Sequence, residues 1–449
     1  MLSYQAEQRS LTKEQKEAIG LLSIGTFLEY FDLILYIHMA VLLNDLFFPK
    51  TDPKVASLLS AAAFCSTYVL RPFAAYGLGW VGDNIGRKST VIITTLIMAA
   101  SCFVMANLST YEEKGILVSW IMIICRMSQG VSSMGEIIGA ELYVTETTKP
   151  PAQYICVGII SIASLMGSMS ALIFGMISTN YLLNWRYAFW GGAIIALVGF
   201  LARTRLRETT EFVDAKRRIK KTLEDFGINT EKLPYKEYME EKVNKKTCLA
   251  YFLILPSGSA CFYLIYIHCA GLFRTHFNYS ATEIMENNLY ISIIQLIIVS
   301  IVTSLALKFH PLKILKVQGI IFLFFMPIGI YFLNNISTVF DLFKVQVLFI
   351  IISIAIGTAV PIIYKSFPVF KRFTFTTVIY AFAKIFITII TSFGMVYLVN
   401  ILGNYGILLI MMPVGTAFYW GVTHFAELEK LRGNYQHQEF FLLKSSFLN

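Results

Sequence analysis

The sequence predicts an all-α membrane protein with twelve transmembrane helices. Of its 449 residues, 56% are hydrophobic and only 14% are charged, whereas a typical soluble domain has about 25% charged residues. The mean hydropathy is +0.64. A soluble chain of this length needs polar linkers between its domains, but such a segment occurs only near the middle. These observations exclude a soluble enzyme, a disordered chain and a disulfide-rich secreted module.

Apolar runs divide the chain into the predicted helices. A helix needs roughly 20 residues to cross about 30 Å of hydrocarbon. The runs must be helical, because hydrocarbon offers no partner for an unpaired backbone amide. The predicted spans are residues 19–43, 56–79, 89–108, 116–139, 153–178, 186–203, 248–271, 287–307, 313–333, 343–364, 373–399 and 404–424.

A polar segment at residues 204–246 separates the first six spans from the other six. We therefore predict an N-terminal segment, a six-helix bundle, a middle loop, a second six-helix bundle and a tail. In this order the parts cover residues 1–18, 19–212, 213–246, 247–424 and 425–449.

Lysine and arginine fall mainly on one side of this arrangement. With the N-terminus in the cytoplasm, 28 of the 37 lie in cytoplasmic segments and 6 in segments on the opposite side. Cytoplasmic loops of membrane proteins carry such an excess. We therefore place both termini in the cytoplasm and attribute the net charge of +9 to topology, with no nucleic-acid partner. The basic stretches are also expected to contact membrane lipids.

The loop between the second and third spans combines glycine with charge. Gly79 and Gly86 allow a tight turn and close helix approach, and Asp83, Arg87 and Lys88 lie at fixed spacings around them. Asp83 can pair with a base or cap a helix end. We predict that these five residues form a cytoplasmic gate.

Acidic residues inside the spans are candidates for proton coupling, because such charges are costly and usually functional. Glu29 and Asp32 are three residues apart and share one face of the first helix. Two acids on one face in a low dielectric resist being ionised together, which suits a proton carrier. Glu136, in the fourth span, is a third candidate. A structural ion pair with Arg71 or Arg126 is the alternative.

Five residues are candidates for solute binding. Arg126 lies near the middle of the fourth span, and Gln129 follows it on the same helix. Arg126 can bind a carboxylate, bias a proton carrier or form a structural ion pair. Lys384 can hold a carboxylate, pair with the aspartate of the first span or extend to the interface. Tyr30 and Tyr36 can wall a cavity, and aromatic rings suit a quaternary ammonium group.

These motifs resemble those of the major facilitator superfamily. The run 79–88 is similar to its signature G-x-x-x-D-(R/K)-x-G-(R/K)-(R/K), and the run 126–130 to its R-x-x-Q-G motif. Residues 20–212 further resemble the metabolite:proton symporter family, which includes proline/betaine carriers. The resemblance implies two pseudosymmetric six-helix bundles, the major facilitator fold, and proton-driven uptake of a small zwitterion or organic acid.

The sequence departs from the family pattern in its second half. The loop at residues 307–313 contains neither the glycine nor the aspartate that a repeat of the first gate would need. Lys365 stands where the family often has glutamate, and Lys384 is unexpected in the eleventh span. Within the first gate, Asn84 replaces a base. The second gate and the solute are therefore expected to differ from those of the family.

The function expected from the sequence is proton-coupled uptake of a small organic solute by alternating access, without an enzymatic activity or a cofactor. No phosphate-binding loop G-x-x-x-x-G-K-[ST] occurs, so ATP is not the direct energy source. The expected protein is a monomer in the bacterial inner membrane. The alternatives are an uncoupled uniporter or exchanger, and a non-transporting receptor that retains the carrier fold.

Overall fold

The computed structural model describes residues 8, 10–49, 70–180, 184–204, 213, 217 and 242–433. This part of the chain is helical and contains no strand beyond an isolated bridge between Gln8 and Pro151. Most of the predicted middle loop and the end of the tail lie outside the described residues. The boundaries predicted for those two parts remain predictions.

Helices occur at all twelve predicted spans, the second being represented by the part of it that is described. The first six are α1 (Lys13–Phe47), α2 (Arg71–Asn84), α3 (Arg87–Ala106), α4 (Ile116–Thr147), α5 (Ala152–Asn180) and α6 (Arg186–Arg203). The second six are α7 (Lys245–Phe277), α8 (Ala281–Leu305), α9 (Pro311–Asn334), α10 (Val339–Tyr364), α11 (residues 369–402) and α12 (Leu408–Leu431).

Nine stretches of the described residues are long and apolar enough to cross a membrane. One of them, Val369–Leu431, contains both α11 and α12, so the nine stretches account for ten helices. Two helices lie outside these nine stretches. They are α2, which is described only from Arg71, and α6, which has 18 residues. The all-α, twelve-helix prediction is thus confirmed.

Local sequence signals explain where several helices begin. Ser280 and Glu283 form a reciprocal capping box at the start of α8, and Thr338 and Asp341 form another at the start of α10. In each box a hydroxyl and a carboxylate bind backbone N–H groups that the first turn leaves without a helical partner. His310 caps α9 by accepting a hydrogen bond from the backbone N–H of Leu312.

The helices form two sets, which we call the first half (α1–α6) and the second half (α7–α12). In the first half α1 packs on α5, and α3 packs on α4 and α6; in the second half α12 packs on α7 and α9. The largest contacts between the halves are α2 with α11 and α5 with α8. The helix six positions after α2 is α8, and the helix six positions before α11 is α5. The two contacts are therefore equivalent, as expected for two halves related by pseudosymmetry.

Glycine residues allow the closest of these helix contacts. A Cβ atom on Gly79 would lie 2.6 Å from the Cα atom of Thr374, so α2 and α11 touch backbone to backbone. Within the first half, a Cβ atom on Gly167 of α5 would collide with the carbonyl oxygen of Phe27 on α1. Backbone atoms cannot rotate away, so both helix pairs depend on the missing side chain.

We expect Gly167→Ala to force α1 and α5 apart and to lower the free energy of unfolding by about 1–3 kcal/mol, the usual cost of overpacking. The measurement is the apparent unfolding temperature of the purified protein in detergent. Gly191→Ala is the matched control, because nothing lies within 4 Å of the Cβ position there. Equal unfolding temperatures for the two variants would contradict the prediction.

Candidate functional site

Four buried charged side chains join the two halves at one end of the molecule. Arg87 lies 3.1 Å from Asp83 Oδ1 and 3.1 Å from Glu146 Oε1. Arg372 of α11 reaches the same Glu146 oxygen at 3.0 Å. We call Asp83, Arg87, Glu146 and Arg372 the gate cluster, and the end of the molecule where they lie the gate end. Each of the four is at most 4% exposed.

Backbone groups of the second half complete the gate cluster. The carboxylate of Asp83 accepts hydrogen bonds from the backbone N–H groups of Phe373, at 3.0 Å, and Thr374, at 2.8 Å. Arg87 donates to the carbonyl oxygen of Val369 at 2.6 Å. Two carboxylates and two guanidinium groups therefore neutralise each other in a site from which water is excluded. In this structure the gate end is closed.

Four of the five residues predicted for the gate meet at this cluster. Gly79 provides the close contact with α11, and Gly86 has a φ of 144°, a backbone conformation that favours glycine. Asp83 and Arg87 form the ion pair itself. Lys88 lies apart, because its ammonium group donates to the carbonyl oxygen of Thr204 at the end of α6, within the first half.

The sequence analysis did not include Glu146 and Arg372 in the gate. Glu146 lies in the last turn of α4, seven residues beyond the predicted end of the fourth span. The sequence around Glu146 does not indicate its partners, because Arg87 belongs to α3 and Arg372 to α11. Only the fold brings these residues together.

A second hydrogen-bonded layer lies between the gate cluster and the middle of the molecule. The hydroxyl of Tyr364, at the end of α10, donates to the carboxylate of Glu141 at 2.7 Å. Glu141 thus takes part in a contact between the halves that the sequence does not reveal. Hydropathy counts the residues of one helix and does not detect its neighbours.

A cavity of about 570 Å³ lies between the two halves. We call it the central cavity. Its charged lining residues are Glu29 on α1, Arg71 on α2 and Lys384 on α11. Five aromatic side chains also line it: Tyr30, Phe262, Tyr263, Tyr266 and Tyr380.

Lys384 contributes a positive charge to this cavity from the second half. Its ammonium group donates to the hydroxyl of Ser259 at 2.6 Å and lies 5.2 Å from the centroid of the Tyr380 ring. Ser259 is neutral, so this hydrogen bond orients the ammonium group without neutralising its charge. The structure thus places Lys384 in the lining of the central cavity, and its role in solute binding remains a prediction.

Asp32 and Arg126 lie in a separate cluster inside the first half. Asp32 is 1% exposed and accepts a hydrogen bond from the thiol of Cys102 at 2.6 Å. Arg126, which is 2% exposed, interacts electrostatically with Asp32 and donates to Gln129 at 2.8 Å. We call these four residues the Asp32 cluster. Because none of them lines the central cavity, Arg126 and Gln129 do not meet the other predicted solute-binding residues there.

Of the remaining predicted site residues, two line the central cavity and two have side chains that the structure does not describe. Glu29 and Tyr30 line the central cavity, although Glu29 is only one helical turn from Asp32. The side chains of Tyr36 and Glu136 lie outside the part of the structure that is described. Their predicted roles therefore remain predictions.

We expect Asp83→Asn to weaken the closure of the gate end. Hydrogen bonds to a charged acceptor contribute about 1.5–3 kcal/mol, so the backbone N–H groups of Phe373 and Thr374 should exchange with solvent about tenfold faster or more. Hydrogen–deuterium exchange of a peptide that covers residues 369–376 measures this. Asp341→Asn is the control, because Asp341 also accepts a backbone N–H, from Thr338, but on a different helix. Unchanged exchange in Asp83→Asn would contradict the prediction.

Relatives of known name match part of the chain. The proline/betaine transporter of Escherichia coli (strain K12) is 31% identical over 204 residues, which cover 44% of this chain and 41% of that protein. The inner membrane metabolite transport protein YhjE of the same strain is 29% identical over 230 residues, which cover 49% of this chain and 52% of that protein. The chain thus spans about half the length of these relatives or less.

Solved structures share the fold over most of the chain. The E. coli proton:xylose symporter XylE, bound to 6-bromo-6-deoxy-D-glucose, has a TM-score of 0.70 at 13% identity and covers 91% of this chain and 94% of its own. The human organic anion transporter MFSD10 has a TM-score of 0.63 at 12% identity, with 92% and 100% covered. At these identities the likeness shows the fold alone. A family model described as Major Facilitator Superfamily matches residues 22–372, and the chain therefore belongs to that superfamily.

Proposed function

We propose that this protein is a secondary transporter of the bacterial inner membrane that takes up a small organic solute together with protons. The observation that carries the proposal is a charged cavity between two helical halves that is closed at one end by a buried ionic cluster. A solute bound there can reach the other side of the membrane only if the gate cluster separates. Alternating access of this kind uses the two halves as the moving bodies.

The charge balance of Lys and Arg supports a cytoplasmic location for the gate end. The loops at residues 85–88, 148–151 and 365–372 lie at this end, and they belong to the segments that together carry 28 of the 37 Lys and Arg residues. By the positive-inside rule this side faces the cytoplasm. The proposed topology has both termini in the cytoplasm, and the gate end is then closed toward the cytoplasm.

The lining of the central cavity fits a zwitterion. Lys384 and Arg71 offer positive charge to a carboxylate, and Glu29 offers negative charge to a cationic group. The five aromatic rings add π faces, which attract quaternary ammonium groups. The relatives named for proline and betaine, and the Dickeya dadantii relative named for glycine betaine, proline, ectoine and pipecolic acid, support this solute class.

The Asp32 cluster is the proposed site of proton coupling. A buried carboxylate beside a buried guanidinium is stabilised when ionised by the opposite charge. A proton on Asp32 removes that attraction and releases Arg126 to other partners. The cluster lies one turn of α1 away from Glu29 in the central cavity, so protonation can change how α1 contacts the solute.

We expect Asp32→Asn to abolish solute accumulation that is driven by a proton gradient, while exchange of solute across the membrane remains. Asparagine keeps the shape of the side chain but cannot take up and release a proton. The measurement is uptake of labelled glycine betaine and proline into proteoliposomes, with and without an inward proton gradient. Asp341→Asn, which changes an exposed carboxylate, is the control.

Other outcomes of this experiment would favour the alternatives. Accumulation by Asp32→Asn equal to that of the unmodified protein would exclude Asp32 as the proton carrier. Equilibration that ignores the gradient in the unmodified protein would favour a uniporter or exchanger. Binding without flux would favour a receptor.

We expect Lys384→Gln to raise KM for solutes that carry a carboxylate by about tenfold or more, with a smaller change in kcat. Glutamine keeps a polar end on a side chain one bond shorter but has no positive charge, and a charge-assisted hydrogen bond is worth about 1.5–3 kcal/mol. Initial uptake rates of glycine betaine, α-ketoglutarate and citrate in the same proteoliposomes give both constants. Lys344→Gln is the control, because Lys344 is exposed and pairs with Asp341. An unchanged KM would show that Lys384 does not bind the solute.

A further inference from the structure

A second, smaller cavity lies beside the central cavity at the boundary between the halves. Its volume is about 160 Å³, and it is enclosed by α5 of the first half and by α8 and α10 of the second. Ser164 and Gln295 line both cavities, so the two are adjacent. We call the smaller cavity the side chamber. None of its lining residues carries a charge.

Oxygen atoms dominate the polar lining of the side chamber. Its side-chain oxygens come from Ser161, Ser164, Gln295, Thr303, Ser353 and Thr358. The oxygen of Gln295 already accepts a hydrogen bond from the hydroxyl of Tyr266 at 2.8 Å. Three of the serine hydroxyls donate their protons to carbonyl groups of their own helices, at 2.7–3.3 Å. Their remaining hydrogen-bonding capacity is as acceptors. The serine hydroxyls therefore present hydrogen-bond acceptors, and not donors, to a ligand in the chamber.

Thr358 gives an independent indication of a ligand. It is 2% exposed, and its hydroxyl has no hydrogen-bond partner among the described residues. Buried hydroxyls are almost always satisfied by protein, water or an ion. Because Thr358 is one of the residues that line the chamber, we assign the partner of this hydroxyl to the chamber.

The backbone of α10 supplies further oxygens at the same place. Its first segment ends at Ile352, residues 353–356 are not helical, and a turn of 3₁₀-helix at Gly357–Ala359 precedes the second segment. The carbonyl of Ile350 accepts a hydrogen bond from the N–H of Ser353, and that of Ile356 from the N–H of Ala359. The end of the first segment also carries the partial negative charge of the aligned peptides, and its last carbonyl groups lack i→i+4 partners within the helix. Unwound helices inside membrane proteins coordinate cations through such carbonyl groups.

We propose that the side chamber binds a small monovalent metal cation, such as Na⁺, through neutral oxygens of both halves. The volume has room for about five water molecules at about 30 Å³ each, so the cation keeps part of its hydration shell. Because α5 and α10 belong to different halves, a cation held between them stabilises the arrangement in which the gate cluster is closed. The proposal goes beyond the proposed function and does not depend on proton coupling.

The test is the apparent unfolding temperature of the full-length protein in detergent, titrated with NaCl at constant ionic strength against N-methyl-D-glucamine chloride, whose cation is bulky and carries no quaternary ammonium group. We expect a saturable rise with NaCl that N-methyl-D-glucamine chloride does not produce. A rise of the same size with KCl would support a site that does not discriminate between the two cations. Identical curves in NaCl and N-methyl-D-glucamine chloride would overturn the proposal and indicate a chamber that holds water only.

Two variants assign the cation to this chamber. Thr358→Val keeps the shape of the side chain and removes its oxygen, and Ser161→Ala removes an oxygen from the opposite half. Each should raise the NaCl concentration at half-saturation at least tenfold.

Thr416→Val is the control, because the hydroxyl of Thr416 donates within its own helix, to the carbonyl oxygen of Pro413, on the surface of α12. An unchanged half-saturation in either folded variant would place the cation elsewhere. No solute or proton gradient is involved, so failure of this test is distinguishable from failure of the transport experiments.

Discussion

The gate cluster is the interaction on which the arrangement of the two halves depends. Asp83, Arg87 and Glu146 belong to the first half and together carry one net negative charge, whereas Arg372 belongs to the second half and supplies the balancing positive charge. A buried charge without its partner is strongly destabilising. Because Glu146 pairs with Arg372 across the boundary, the buried charges at the gate end depend on both halves. The halves either stay together there or separate far enough for water to solvate both sides, which favours two distinct states over a continuum.

The central cavity communicates with this cluster only through the helices that contain both. On α11, Arg372 is eight residues from Tyr380, or about 12 Å at 1.5 Å per residue. On α4, Glu146 is nine residues from the cavity-lining Ile137, or about 13.5 Å. A small solute cannot span this distance. Its effect on the gate must pass through α4, α11 or α2, which contains both the cavity-lining Arg71 and Asp83. The Glu141–Tyr364 hydrogen bond lies between the two levels.

The helices could be predicted from the sequence, because hydropathy is a local property that each span carries by itself. Gly79, Asp83 and Arg87 could be assigned to the gate because their spacing forms a local motif. Glu146 and Arg372 could not, since they lie more than 200 residues apart and only packing brings them together. The orientation of Asp32 toward Cys102, away from the central cavity, also depends on which neighbouring helix covers that face of α1.

The break in α10 shows a different limit of prediction. Residues 343–364 form one apolar run, and the hydropathy of the run conceals the non-helical residues 353–356 inside it. Gly357 and Pro361 were visible signals of an interrupted helix. The reason for glycine at position 357 is seen only in the fold, because the hydroxyl of Ser161 on α5 occupies the space that a Cβ atom would need. The irregular backbone is tolerated at this depth because it lines an enclosed polar chamber.

The loop at residues 307–313 lacks the gate motif, and the structure shows what replaces the ionic contact there. His310 is 2% exposed, caps α9 and packs edge-on against Tyr154 of α5, with ring centroids 6.4 Å apart. Burial lowers the pKa of His310 to about 4, and the nearby Lys313 acts in the same direction. The ring is therefore neutral at physiological pH, as its role in accepting the Leu312 N–H requires. The gate end is thus asymmetric: one side closes through charges that must be solvated on opening, and the other through a neutral aromatic contact that separates at a much smaller electrostatic cost.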